Sequence, residues 1–271
     1  IDELVVLDDA IIVGKPMGWL HRHWAMMADG FDEFINLFES IEYELVAMES
    51  QNSYFRDDEW RRENYSHINY FDAMSKLAGL STGHIGEVYF DNTTENDVVK
   101  KYLSKYTNRY TVLINIAGSS PQKRFVHAEA VAKGIYDMIP NALVITTGDK
   151  ESADLDFRVE DSRSIVGKWG FRQAMCLSQY VNLVISFESG LPIASQMFGT
   201  PTIQLMTTSS LENHVQHVKN AYGIQSPVYC SPCNRGPYKF LGCPKTDGGY
   251  PKCIDIPTNT ILEKVREAYD N

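Results

Sequence analysis

From about residue 111 onward, short runs that are apolar at nearly every position alternate with longer stretches of helical periodicity. "YTVLINIAG" gives way to "VHAEAVAKGIYDMI", "NALVITTGD" to "GFRQAMCLSQY" and "VNLVISFESG" to "LPIASQMFG". "TPTIQLM" follows, and "NTILEKVREAY" closes the chain. A strand that is apolar on both faces must be covered on both, so the alternation predicts a parallel sheet with helices on either side. Open parallel sheets take ligands at the carboxyl ends of their strands. Those ends read "AGSSPQKR", "TTGDKES", "SFESG" and "MTTSSLENH", all polar, and are expected to line one crevice.

The first tip offers Gly118, Ser119 and Ser120 with the cations Lys123 and Arg124 just before a helix. Main-chain N–H groups at a helix start, with a cation nearby, bind anions. The spacing is not that of a Walker A loop, and an ordinary turn with solvated charges is the bland alternative. The second tip adds Gly148 and Asp149. The third places Glu188 directly after a buried strand, with Ser189 and Gly190 opening the next helix. That carboxylate suits sugar hydroxyls, and the Ser and Gly amides suit phosphate; a simple helix cap also explains them. In the fourth, Ser209 and Glu212 have capping-box spacing, which leaves Asn213, His214 and His217 unaccounted for. The two histidines, three apart, read as half-buried side chains before metal ligands.

The N-terminal part is less regular. "LVVLDD", "AIIVG" and "FDEFINLF" read as strands. "SHINYFDAMSKLAGL" (66–80) reads as a helix with Ser66 as N-cap, and 93–106 as another with acidic residues first and lysines later. The rhythm changes near 107, so two domains are expected, 1–107 and 108–271. The opening "IDELVVLDDAIIVG" has no initiator Met and starts in strand-like material, which reads as an excised fragment.

A formal net charge of −10 argues against nucleic acid as a partner. No apolar run approaches the roughly 20 residues that span a bilayer, and no secretory h-region opens the chain. A cytoplasmic setting is expected, where stable disulfides are rare. Peripheral membrane association and oligomerisation remain compatible with the sequence.

Against that background, Cys230, Cys233, Cys243 and Cys253 stand out, spaced C-x2-C-x9-C-x9-C in a loop (230–253) rich in Gly and Pro. A structural ion held by four thiolates is the favoured reading, with Zn–S bonds near ~2.3 Å. It would order a loop that has few apolar residues with which to order itself. Zinc and iron both accept this ligand set. Two disulfides or a redox pair are the alternatives, although "VYCSPCNRGPY" offers no helix start for the latter. Cys176, inside "AMCLSQY", reads as core.

Taken in order, "GSSPQKR", "TTGDKES", "SFESGLPIASQMFGTPTIQL", "SSLENH" and the cysteine loop resemble the ADP-heptose:lipopolysaccharide heptosyltransferase family (glycosyltransferase family 9). The likeness extends to its cysteine-bearing relatives. It covers residues 111 to 257, and 31 to 106 more loosely. It implies a GT-B architecture, an α/β arrangement of two facing Rossmann-like domains with parallel sheets, the first incomplete here. The C-terminal domain would bind the nucleotide sugar. Ser119, Ser120 and Lys123 correspond to the loop holding the donor's phosphates. Glu188, Ser189 and Gly190 fall on the family's Asp/Glu–Thr/Ser–Gly motif.

Two departures stand beside the match. Ile193 occupies the position where the common motif has a His. The family's early catalytic carboxylate, beside a Gly-rich first loop, has no counterpart, as though about two βα units of roughly 30 residues each preceded Ile1. The activity implied is inverting transfer of a sugar, heptose or related, from a nucleotide-diphosphate donor to a glycan or protein acceptor, without a catalytic metal. Such a transfer needs a base and something to stabilise the departing diphosphate. His21, His23, Asp29 and Asp32 are the dense candidates left for the base. An acceptor-side loop with no proton transfer is their plainer reading. A non-catalytic nucleotide-sugar-binding module and a sugar-nucleotide isomerase on the same architecture are the rival functions.

Overall fold

Strands β1 (Tyr110–Asn115), β2 (Ala142–Thr147), β3 (Arg163–Ser164), β4 (Leu183–Phe187), β5 (Thr202–Met206) and β6 (Ala221–Gln225) form one sheet. Its order is β3-β2-β1-β4-β5-β6 and every pairing is parallel. This computed structural model describes residues 17–37, 45–47, 51–86, 93–236, 243, 245–247 and 249–271. The helices among them are α1 (Met17–Ala28), α2 (Asp58–Tyr65), α3 (Tyr70–Leu77), α4 (Thr93–Leu103), α5 (Ala128–Met138), α6 (Phe171–Ser178), α7 (Gly190–Met197), α8 (Leu211–His214) and α9 (Thr258–Asp270).

Side chains alternate faces along a strand, and the two faces collect separate cores. Val112, Ile114 and Val144 pack with Val131 and Ile135 of α5 and with Ile261 and Val265 of α9. Leu113, Leu143, Ile145 and Val184 pack with Ala174 and Leu177 of α6 and Leu191 of α7. Both sides of the strands are thus covered, as their continuous apolar runs require. The chain winds outward from β1 to β3, then returns to start again at β4 beside β1. Such a reversal opens a crevice at the carboxyl ends of β1 and β4.

Helix α4 belongs to this unit, not to the preceding domain as its sequence position suggested. Val99 is fully buried in the core with Leu113, Leu143 and Ile145. Asn96 Oδ1 accepts from the Tyr180 hydroxyl (2.8 Å) and from Cys176 Sγ (3.1 Å). The boundary at 107/108 therefore cuts between a helix and the sheet it covers.

The regular elements among the described residues before β1 are helices. "LVVLDD" and "AIIVG" lie outside the described residues. Residues 31–37 of "FDEFINLF" are irregular, with no strand beside them to share a ladder among the described residues. The helix expected over 66–80 begins at Tyr70. Its N-cap is Asn69, whose Oδ1 accepts from Phe71 N (3.0 Å) and Asp72 N (3.2 Å). Ser66 instead closes α2, its N–H bonded to Arg62 O at 3.1 Å. Gly79, at φ +68, ends α3 in a left-handed conformation that suits glycine.

The α2–α3 hairpin is docked on the sheet unit by polar contacts with main-chain groups. Asn213 Nδ2 donates to Tyr65 O (2.8 Å) and Ile68 O (2.7 Å), and Asn69 Nδ2 donates to Glu212 O (2.9 Å). The Ser210 hydroxyl bonds Ser66 O, and Asn234 Nδ2 donates to Ser66 Oγ at 2.6 Å. Ala47 joins through a parallel bridge to Arg235, with Ala47 N donating to Asn234 O and Gly236 N to Ala47 O, each at 2.8 Å. These contacts roof one side of the crevice.

Candidate functional site

After β1 the chain closes a tight loop. Gly118 N donates to Lys123 O (3.1 Å) and Lys123 N to Ser120 O (3.0 Å), with a 3-10 turn over Pro121–Lys123. A Cβ at Gly118 would lie 2.8 Å from Lys123 Cδ and 2.9 Å from its Cβ, so the glycine lets the lysine stem lie against the loop. No hydrogen bond or ion pair of the Lys123 ammonium is formed among the described residues. Ser119 is exposed and Ser120 buried.

After β4, Ser189 stands in extended conformation as the N-cap of α7 without bonding the helix through its hydroxyl. That hydroxyl lies 3.3 Å from Ser186 Oγ. The first amides of α7 thus carry no side-chain cap, and the positive end of the helix faces the crevice. A Cβ on Gly190 would come within 2.9 Å of Phe171 Cζ, so glycine also permits a close approach here.

Two clefts meet at these tips. One, about 500 Å³, lies over β1, β2 and β4 and is walled by Asn115, Gly148, Asp149, Trp169, Phe171 and Gly190. The other, about 440 Å³, lies beneath the α2–α3 hairpin, walled by Tyr70, Met74, Gln122, Glu188, His214 and Arg235 among others. Ser119, Lys123 and Ser189 line both. The two clefts therefore form one crevice, with a cation and two hydroxyls at its waist.

Glu188 is 3% exposed and its carboxylate is already engaged. Oε1 accepts from the hydroxyls of Thr207 (2.8 Å) and Thr208 (2.9 Å) and from Thr208 N (2.8 Å), while Oε2 accepts from Thr207 N (2.7 Å). It fixes the β5–β6 loop, a role the sequence did not suggest. Asp149 lines the first cleft with Oδ1 accepting from Ser152 N at 2.8 Å and from the Ser152 hydroxyl. His214 is buried against Tyr70, ring centroids 4.8 Å apart. Burial, and then the neighbouring Lys123 charge, push its pKa down to about 3, so it is neutral.

Other candidates lie elsewhere. Asn213 is fully buried and forms a capping box with Ser210, in place of the anticipated Ser209–Glu212 pair. Glu212 is exposed and lines neither cleft. Both therefore support the fold of the crevice wall and face no ligand space. His217 pairs with Asp72 at 2.9 Å. His23 stacks on Trp19 at 4.9 Å, and neither it nor Asp29 nor Asp32 lines either cleft. Of His21 only its place in α1 is described. Gln122, Thr208, Trp169, Phe171 and Arg235 are wall residues that sequence reasoning passed over. Arg235 is brought there by a bridge to a residue far away in sequence, for which no local pattern exists.

Cys230, Cys233, Cys243 and Cys253 line a single cavity of about 20 Å³, together with Asp58, Gln122, Arg235 and Lys245. No disulfide joins any of the five cysteines. Burial raises the thiol pKa values of Cys230, Cys243 and Cys253, while the charge of Lys245 lowers those of the first two and Arg235 that of Cys243. Arg61, fully buried, donates from Nε to Cys233 O at 2.7 Å and pairs with Asp58, which in turn pairs with Lys245. The quartet expected from the spacing is thus gathered. In its present arrangement, no three metal-capable side chains among the described residues are grouped closely enough to hold an ion.

No protein-family model and no curated protein sequence matches the chain. Solved structures do. The fold is similar to that of the E. coli ADP-heptose LPS heptosyltransferase II, with a TM-score of 0.50 and 18% identity, over 67% of this chain and 53% of that one. It is also similar to a glycosyl transferase family 9 structure from Veillonella parvula DSM 2008, at 0.53 and 12%, over 72% and 57%. This chain spans just over half the length of each. At these identities the likeness is one of fold, and the α/β, GT-B-like class expected from the sequence is the class observed. Among the described residues, no helix is long and apolar enough to cross a membrane.

Proposed function

We propose that this chain is the nucleotide-sugar-binding part of an inverting glycosyltransferase. It serves transfer of a heptose or related sugar from a nucleotide diphosphate to a glycan or protein acceptor. The observation that carries this reading is the shared waist of the two clefts. There the Lys123 ammonium, the Ser119 and Ser189 hydroxyls and the uncapped start of α7 converge at the β1/β4 reversal. An ammonium and oriented N–H groups are what a diphosphate leaving group calls for. The nucleoside then lies over β2, between the Trp169 and Phe171 side and Asp149, whose carboxylate is suited to ribose hydroxyls. The sugar lies beneath the α2–α3 hairpin.

The four cysteines hold one structural ion, zinc or iron. The donor set fits in kind: four thiols border one small cavity. Closing on an ion requires them to draw nearer than they stand and to lose protons that burial holds on them, a loss that Lys245 and Arg235 ease. Four sulfur ligands leave no open position, so the ion takes no part in transfer. A metal-held cluster of this kind belongs with a cytoplasmic setting.

A binding module without catalysis is the second reading, and one observation favours it. Glu188 is the only carboxylate that lines the cleft beneath the hairpin among the described residues, and its oxygens are committed to Thr207 and Thr208. A base for the acceptor hydroxyl has to come from elsewhere.

Thermal unfolding with ADP-, GDP- and UDP-sugars tests both. Stabilisation by one nucleotide class, rising with concentration as RT ln(1 + [L]/Kd), supports donor binding. Indifference to all three removes it. Glycosyl transfer or donor hydrolysis by the stabilised protein separates enzyme from binder.

A further inference from the structure

We propose that Gln122 is a specificity-determining residue of the sugar subsite, its carboxamide recognising adjacent hydroxyls of the transferred sugar. Gln122 is 1% exposed, yet neither Oε1 nor Nε2 has a hydrogen-bond partner among the described residues. Leaving both ends of a buried amide unpaired is costly, and native structures avoid it. Gln122 is among the residues that line the cleft beneath the hairpin, with both amide atoms lying below its accessible surface, so a ligand engages them as the side chain turns toward the cleft. Its position is fixed from behind: the Gln122 carbonyl lies 3.2 Å from the Thr207 hydroxyl, and Thr207 is held by Glu188.

The chemistry of the amide selects the ligand. Oε1 only accepts and Nε2 only donates, so a partner that satisfies both must offer a donor and an acceptor side by side. Phosphate oxygens at neutral pH supply only acceptors. A pair of neighbouring sugar hydroxyls supplies both. Gln122 lines the cleft beneath the hairpin and does not line the cleft over β2. It therefore reads the sugar and leaves the nucleotide to other groups. Gln122 also borders the cysteine cavity, so an N–H bond to a thiolate is the competing use of the amide, and the test separates the two.

This inference rests on the donor-binding reading above. Calorimetry compares Gln122→Met, close in volume and unbranched, with the unmodified chain, against ADP, GDP and UDP and against ADP-glucose, GDP-mannose and UDP-glucose. Affinity for the preferred nucleotide sugar is expected to fall about 10- to 30-fold, as for two lost hydrogen bonds. Affinity for the matching free nucleotide should change less than about threefold. The unfolding midpoint without ligand should hold or rise, because an unpaired buried amide has been removed; Gln122→Ala replaces it if the Met variant does not fold.

If the unmodified chain binds nucleotide sugars and the variant binds them equally well, this inference alone fails. If the unmodified chain binds no nucleotide of any kind, the donor-binding reading fails and this one with it. Loss of bound zinc or iron from the variant, with sugar affinity intact, assigns the amide to the thiols and overturns the proposal.

Discussion

Thr207 meets Glu188 twice, donating its main-chain N–H to Oε2 at 2.7 Å and its hydroxyl to Oε1 at 2.8 Å. Thr208 repeats the pattern on Oε1. One buried carboxylate therefore ties the tip of β4 to the tip of β5 and sets the wall shared by the cleft and the cysteine cavity. Glu188→Gln keeps the shape but points an amide donor at groups that themselves donate. It should destabilise the protein by about 2–4 kcal/mol, through buried donors left unpaired. Urea unfolding measures this; a midpoint unchanged from the unmodified protein contradicts the role assigned to Glu188.

The Lys123 ammonium forms no hydrogen bond or ion pair with the described residues, and the loop bonds of Lys123 are main-chain ones that a substitution keeps, so removing the side chain should spare the fold. Lys123→Ala is expected to weaken nucleotide-sugar affinity about 10- to 100-fold, the scale of a lost charge-assisted contact to phosphate. Gly118→Ala should do similar harm by a different route. Its methyl would sit 2.8 Å from Lys123 Cδ and push the ammonium out of place. Calorimetry with both variants checks the pair; normal affinity in either removes the waist of the crevice from ligand binding.

The parts of this arrangement that were legible in the sequence are those with local physical signatures. β1, β2 and β4 are largely apolar on both faces because both are buried, and β5, buried on both faces too, carries Thr202 and Gln204 on one of them. The nearness of Ser119, Lys123 and Ser189 was readable because each follows a strand of a parallel sheet, whose carboxyl ends gather at one edge, while a turn or a helix cap would show the same residues. Val99 showed that α4 has a buried face, but an amphipathic stripe does not say what covers it. The partners of Asn213 and Glu188 were not legible for a related reason. Asn213 Nδ2 and the Glu188 carboxylate go to partners distant in sequence, and a polar residue's composition is the same whether it meets a ligand or a buried main-chain group. The alternation in "FDEFINLF" fits a strand, yet a strand exists only with a neighbour to pair with.

His214 supplies a pH dependence whose sign follows from burial. Its pKa falls from 6.5 to about 3 in the folded protein, chiefly by desolvation. Between these values the unfolded chain binds a proton that the folded chain refuses, so stability drops as pH falls below about 6.5 and levels off below about 3. By pH 5 the loss is about 2 kcal/mol. Asp72, whose pKa is lowered chiefly by the hydrogen bond from Gly83 N, pulls the same way. The comparison must therefore be a difference. His214→Phe, which keeps a ring against Tyr70, should unfold at a midpoint that falls less between pH 7 and pH 5 than that of the unmodified protein. Parallel curves for the two would mean that His214 titrates normally.

The cysteine quartet makes the remaining prediction. Burial raises the Cys243 thiol pKa against the lowering pull of Lys245 and Arg235, and a neutral buried thiol is a poor ligand. A bound cation resolves that conflict by deprotonating its ligands outright. Protein purified without added metal should therefore carry near one equivalent of zinc or iron by elemental analysis. Cys253→Ser should lose that ion and lower stability by several kcal/mol, on the scale of structural metal sites. Cys176→Ser should leave the metal content unchanged, because Cys176 lies on α6 against Asn96 and does not line the quartet's cavity. The chain has five cysteines. Finding no metal while a thiol reagent titrates all five in denaturant would mean that the loop is ordered without an ion. Finding no metal while only Cys176 titrates would assign the quartet to two disulfides and remove the ion from the proposed function.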